Sequence, residues 1–173
     1  GAVVLNLNDE DALNLAADKM KIDVTAYDEK AVSELFLVEA MSPTPSAELI
    51  INLRQDPQFG AALVLGSGGV LVELLADSAT LLLPTRPVEI IRALKSLQVG
   101  PLLEGFRGRP AVDIPKIAAE IYKLCITYQE HIQTIAEIEI NPLFVYQAEV
   151  SAIDALIQVS VKDCDNLLGV NFT

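Results

Sequence analysis

The sequence is poor in the residues on which several functions depend. It has two cysteines and one histidine in 173 residues. Cys125 falls inside a helical pattern and Cys164 near the end, at no metal-ligand spacing. Zinc therefore lacks its usual donors, and the two thiols read as the reduced cysteines of a cytoplasmic protein, with a disulfide left open. Positive charge is also scarce: 12 basic residues against 24 acidic ones leave a net charge of −12. Such a chain repels a nucleic-acid backbone or an anionic membrane surface unless its bases cluster, and the only tight basic group is Arg107 with Arg109. No apolar run nears the roughly 20 residues needed to span a bilayer. The start, GAVVLNLNDEDAL, has neither a basic segment nor a cleavage site, so the sequence predicts a soluble chain without a signal peptide. What is plentiful is apolar surface. At 51% hydrophobic residues the chain can bury the core of one sizeable domain or two small subdomains.

The pattern of those apolar residues sets the expected elements. Ala2–Leu5 reads as a strand entering a helix capped by Asn8, with Asp9, Glu10 and Asp11 in its first turn and Leu13, Ala16, Ala17 and Met20 on one face. From Glu34 come short apolar stretches, ELFLVEA, AELIINLR, AALVLG, VLVELL and TLLL. They are separated by SPTPS, QDPQFG, GSGG and ADSA, which predicts an antiparallel meander over residues 34–83. Thr85 and Pro87 open a second helix with Ile90, Ile91, Leu94 and Leu97 on one side. VGPLLEGFRGRPAVD is too irregular for an element, and Asp113 caps a third helix carrying Ile117, Ile121, Leu124, Cys125 and Tyr128. AEIEINPLFVY and VSAIDALIQV then form two strands joined around Gln147–Glu149, leaving a patternless tail. This order predicts an α+β fold.

The stretch EIEINP, residues 137–142, departs from the apolar trend. On a strand, Ala136, Ile138 and Ile140 face one way while Glu137, Glu139 and Asn141 face the other. On the partner strand Ile153, Ala155, Ile157 and Val159 share a face, which puts Asp154 on the opposite one. With an even-numbered connection, Asn141 lies across from Asp154, about 5 Å apart between Cβ atoms. That offers two oxygen ligands to one hard cation, and magnesium suits such a site. The plainer reading is a half-exposed strand with its polar side outward, for which Pro142 favours a sheet edge.

GSGG, Gly66–Gly69, is neither a Walker loop nor a complete GxGxxG, and a strand rather than a helix is expected to follow it. It reads either as a glycine hairpin or as a turn whose amides approach a phosphate or acyl group. Glu39 ends an apolar stretch before a proline-containing loop and Glu48 recurs after it; a lone acid at such a place is ordinarily solvated.

Taken together, LFLVEAM with AEL, DPQFGAALVLGSGGVLVELLAD, PLLEGFRGRPAVD, and IAEIEINPLFV with AIDALI resemble, in order, four blocks of one family. It is the ATP-grasp domain of the nucleoside-diphosphate-forming acyl-CoA synthetases, which include ADP-forming acetate-CoA ligase and the β subunit of succinyl-CoA synthetase. The resemblance spans residues 1–158. It implies an incomplete ATP-grasp fold, an antiparallel sheet with flanking helices, divided into residues 1–40 and 41–158 and followed by a tail, 159–173.

It also implies a chemistry. The parent enzyme would interconvert acyl-CoA, NDP and phosphate with a carboxylate, NTP and CoA through an acyl phosphate and a phosphohistidine, using Mg2+ and ATP/ADP. Asn141 and Asp154 would be the magnesium ligands with Glu139 beside them; Glu39, Ala40 and Met41 would line the adenine and ribose pocket, and Glu48 would face the nucleotide. Gly66, Gly68 and Gly69, with Arg107 and Arg109, would lie on the phosphate side. His131 does not match the phosphohistidine and reads as a helix-end surface residue. The implied partners are CoA-binding and phosphohistidine-bearing domains or a subunit, and an acyl-CoA, in an oligomeric full-length form; neither nucleic acid nor membrane is implied. The family's phosphate-contacting lysine and basic glycine-rich segment have no counterpart here, so the chain reads as a piece of a longer polypeptide or a subunit needing partners. A second reading is the ligand-sensing, ligase-like region of a bacterial protein lysine acetyltransferase; a third is another ATP-grasp carboxylate ligase.

Overall fold

The computed structural model describes residues 2–31, 35–68 and 77–160. Two compact units divide the chain, Gly1–Thr44 and Pro45–Thr173. Among the described residues the first unit holds one helix, α1 (Glu10–Tyr27). Asp9, not Asn8, is its cap: the Asp9 carboxylate accepts from the Ala12 amide at 2.7 Å, because the chain is still extended at residue 9. Leu13, Ala16, Ala17 and Met20 are half-buried on a shared face, as expected, but no residue of α1 is fully buried. Among the described residues, the strands expected at Ala2–Leu5 and in ELFLVEA do not appear: residues 2–8 and 35–40 have no regular secondary structure and are mostly exposed, because β-forming side chains favour a strand only where a sheet packs against them.

The second unit is built on one antiparallel sheet, β1 (Ala47–Asp56), β2 (Gly60–Ser67), β3 (Ser78–Leu82), β4 (Ile135–Val145), β5 (Val150–Ala152) and β6 (Ala155–Val159). The strand order is β3-β2-β1-β4, with β5 and β6 both paired to β4. The expected meander holds for the β1–β2 hairpin, but β2 then pairs directly with β3, where the sequence pattern placed VLVELL between them; VLVELL lies outside the described residues. DPQFG makes the first hairpin: the Asp56 carboxylate accepts from the Gln58 and Phe59 amides at 2.8 and 2.9 Å, and Gly60 takes the positive φ of 82° that closes the loop.

Three helices lie in the connection from β3 to β4: α2 (Pro87–Ser96), α3 (Gly100–Leu103) and α4 (Ile114–Glu130). The single turn α3 falls in the stretch expected to be irregular; Pro101 inside its first turn and buried Leu103 explain why it forms. Alternate residues of the sheet, Leu49, Ile51, Leu53, Leu63 and Leu65, share one core with Ile90, Leu94, Ile117, Ile121 and Cys125. Tyr128 is fully buried among them, its hydroxyl donating to the Ala136 carbonyl at 3.0 Å. Burial pushes the Cys125 thiol up to about 11. A thiol reagent at pH 8 should therefore leave Cys125 unmodified in the folded protein and label it on unfolding in guanidinium, as peptide mass mapping would show.

At the start of α2, Glu89 reaches back one turn. Its carboxylate accepts from the Arg86 guanidinium at 3.0 Å, the Arg86 amide at 2.9 Å and the Thr85 hydroxyl at 3.1 Å, which together lower its pKa to about 2. A carboxyl lowered in this way stabilises the fold above its usual 4.5, and that contribution is lost as pH falls towards 2. The Glu89→Gln variant should melt below wild type at pH 7, and the gap should close near pH 2 in a calorimetric pH series.

Two expectations about the closing strands change. VSAIDALIQV is not one strand, because Ile153 and Asp154 break it into β5 and β6. Ile153, Ala155, Ile157 and Val159 are exposed, since β6 pairs only with β4 and nothing described covers it. Pro142 is not at an edge either, as β4 pairs on both sides. The β1 register steps between Leu49↔Leu143 and Ile51↔Ile140, which leaves Asn141 and Pro142 in a bulge where β1 asks no N–H of them. At the same point the buried alternation of β4 shifts, from Ile138 and Ile140 to Leu143 and Val145.

Candidate nucleotide and cation site

The polar side of β4 has the composition that its alternation predicts. Ile138 and Ile140 enter the core, whereas Glu137 and Glu139 are half-buried on the other side and Asn141 is exposed. Across the β4–β6 ladder, Glu139 pairs with Leu156 and Ile140 with Ala155. The next position brings Asn141 to Asp154, and the Asn141 amide donates to the Asp154 carbonyl at 3.1 Å. The register inferred from sequence is the one observed. Glu139, Asn141 and Asp154, with Ala155 and Leu156, line one open cavity of about 290 Å³. Two carboxylates and one amide oxygen thus border a single space, a hard-oxygen donor set. Among the described residues no three His, Cys, Asp or Glu side chains gather to hold a metal, so any cation there would take few ligands from the protein.

The neighbouring strand extends this polar side. Asn52 pairs with Glu139 and Arg54 with Glu137, and the Asn52 amide donates to the Glu137 carboxylate. The remaining Asn52 oxygen is buried with no hydrogen-bond partner among the described residues. Sequence reasoning passed over Asn52; its parity with Glu48 on β1 was the available signal. Glu48 itself is half-buried at the start of β1, and its carbonyl accepts from the Gly68 amide at 2.7 Å. A Cβ at Gly68 would stand 2.8 Å from the Glu48 carbonyl carbon and 2.9 Å from the Leu49 nitrogen, so only glycine allows this approach. Gly66 is buried within β2, opposite Ile50 and Ser78. Gly69 lies outside the described residues, as does Cys164.

Arg107 and Arg109 are exposed on the loop after α3. Gly105 and Gly108 have φ of 97° and 84°, and Arg107 itself has a φ of 48°, a left-handed conformation that costs a non-glycine residue about 1 kcal/mol. The Arg107 guanidinium lies 5.2 Å from the Phe106 ring centroid. Glu39, Ala40 and Met41 belong to the first unit, where they form an exposed segment without regular structure. His131 ends α4 on the surface, its ring Nδ1 2.9 Å from the Thr127 carbonyl, in keeping with a helix-end residue. No helix among the described residues is long and apolar enough to cross a membrane.

Comparison with known proteins points the same way. The ATP-grasp domain family matches residues 1–159. Over 158 residues the chain is 32% identical to the β subunit of ADP-forming acetate-CoA ligase I of Pyrococcus furiosus, covering 90% of this chain and 66% of that subunit. It is also 32% identical to a trans-feruloyl-CoA synthase from an unknown prokaryotic organism, covering 92% of this chain but only 22% of that protein. Among solved structures, acetyl-coenzyme A synthetase 1 of Ca. Korarchaeum cryptofilum in complex with coenzyme A and Ca-AMPCP superimposes with a TM-score of 0.78. Identity there is 32%, covering 91% of this chain and 68% of that one. The same enzyme with coenzyme A and Mg-AMPPCP gives a TM-score of 0.75 at 30% identity, covering 91% and 67%. With the match spanning both units and the sheet, helices and E-I-N strand arranged as described, the chain belongs to the ATP-grasp domain family, in the group carried by NDP-forming acyl-CoA synthetases.

Proposed function

We propose that this chain is the nucleotide-handling part of an NDP-forming acyl-CoA synthetase. The whole protein would convert acyl-CoA, NDP and phosphate to carboxylate, NTP and CoA. The observation that carries the reading is the shared cavity of Glu139, Asn141 and Asp154. Its oxygen donors fit Mg2+, which takes one or two protein ligands and fills its octahedron with water and substrate phosphates. The complexes of the Korarchaeum enzyme with Ca-AMPCP and Mg-AMPPCP support nucleotide and divalent metal as the ligands.

The residues divide the work. Asn141 and Asp154 would hold the cation with Glu139 beside them, and the cation would supply charge neutralisation between phosphates, the main requirement of phosphoryl transfer. Gly66, Gly68 and Gly69 would lie near the transferred phosphate, their lack of side chains leaving room for it, and the guanidinium groups of Arg107 and Arg109 would donate to its oxygens. The segment Glu39–Met41 would contact adenine and ribose, and Glu48 would face the nucleotide. Residues 1–158 form the ATP-grasp portion on this reading, divided at 40/41, with CoA-binding and phosphohistidine-bearing domains or a subunit as partners in an oligomer. A cytoplasmic setting accords with the free thiol of Cys125. The named relatives are ligases and synthetases, which favours turnover over a sensor role.

Calorimetric titration of the intact protein with ATP, GTP and several acyl-CoAs tests this reading. Mg2+-dependent nucleotide binding, together with NTP formation that requires CoA chemistry, is expected. Carboxylate activation that proceeds without CoA would instead assign another ATP-grasp ligase.

A further inference from the structure

One carboxylate outside the cavity gathers three segments of the second unit. Asp77 Oδ2 accepts from the Ser67 hydroxyl and from the Gln98 amide, the latter at 2.8 Å, while the Asp77 carbonyl accepts from the Ser67 amide at 3.2 Å. Ser67 is the last residue of β2, between Gly66 and Gly68, and is buried at 8% exposure. Gln98 stands at the junction of α2 and α3. From that junction the connection to the arginine loop is stiff. A Cβ at Gly100 would lie 2.6 Å from the Lys95 carbonyl oxygen, so α3 sits directly on the end of α2. The Lys95 ammonium pairs with Glu104 at 2.8 Å, and the Leu103 carbonyl accepts from the Val112 amide at 2.9 Å, closing the base of the loop that carries Arg107 and Arg109.

We infer that Asp77 is a positioning residue for the phosphate side of the nucleotide site, locking the Gly66–Gly68 end of β2 to the α2–α3 junction from which the arginine loop springs. The inference rests on the nucleotide reading above. Charge-assisted bonds to one oxygen are short and directional, so they hold the two backbones in one frame. Preorganised amides and guanidinium groups lose their effect when displaced by a fraction of their contact distance. A single carboxylate thereby sets two phosphate-side elements that lie far apart in sequence.

Hydrogen exchange and nucleotide titration on the intact protein separate the possible outcomes, using Asp77→Ala, Asp77→Asn and the milder Ser67→Ala. Without ligand, Asp77→Ala should speed amide exchange about tenfold at 67–68 and also at 98–109, leaving 49–53 in the sheet unchanged. Asp77→Asn should restore both segments, because one amide oxygen can receive both bonds. With Mg-ATP, Asp77→Ala should bind about tenfold more weakly, and combining it with Arg109→Ala should cost less than the product of the two single effects. Exchange unchanged at 98–109, Asp77→Asn as damaging as Asp77→Ala, or strict additivity with Arg109→Ala would each overturn the inference. A wild-type protein that binds no nucleotide would remove the functional reading, and the exchange pattern would still decide whether the lock exists.

Discussion

Replacing Asp154 by alanine should lower Mg2+-dependent nucleotide binding and turnover in the intact protein by more than about a hundredfold while leaving the fold in place. The two halves of that expectation have separate causes. The side chain borders the cavity and is exposed, so its removal takes a negative oxygen pair from the proposed cation and leaves no buried gap. The strand contact at the same residue is made by its backbone carbonyl, which accepts from the Asn141 amide and is untouched by the substitution. Stability should therefore stay within about 0.5 kcal/mol of wild type. Calorimetric titration with Mg-ATP reads the first half, and thermal unfolding the second. Wild-type turnover in the variant would remove Asp154 from the site; a collapse of the melting temperature would show that the residue serves the fold.

The second large effect is expected at Gly68. An added methyl would meet backbone atoms of Glu48 and Leu49 at 2.8–2.9 Å, and neither can rotate away as a flexible side chain would. The Gly68 amide also donates to the Glu48 carbonyl at 2.7 Å, so pushing the segment outward breaks that bond as well. Gly68→Ala should displace the end of β2 from β1 and weaken nucleotide binding by about a hundredfold, in line with the sensitivity of preorganised sites to shifts near 1 Å. Gly60→Ala is the matching control: nothing lies within 4 Å of the added atom, so only the positive φ is strained. That variant should lose stability but bind nucleotide normally. Equal binding by Gly68→Ala and wild type would show that this glycine serves packing alone.

How much was legible in the sequence depends on how local the cause was. The short apolar stretches of β1 and β2, the Asp56 turn with Gly60, the Asp113 cap of α4 and the helical spacing from Ile117 to Tyr128 are fixed by side chains within a few positions of each other. All were readable, as was the pairing of Asn141 with Asp154, because a short hairpin sets its own register. The misplaced features had non-local causes. ELFLVEA has the composition of a strand but forms no regular structure at 35–40, and Pro142 is admitted to an inner strand because β1 steps its register there.

The sequence by itself determined the polar side of β4, the glycine turn at Gly60 and the α+β class, since strand parity and turn chemistry follow from bond geometry and residue type. Tertiary structure alone decided that β4 is central, that Asn52 meets Glu137, and that Asp77 joins β2 to the α2–α3 junction. Each of those contacts spans ten or more positions of chain, and sequence periodicity carries no information about partners that only the folded sheet brings within hydrogen-bond reach.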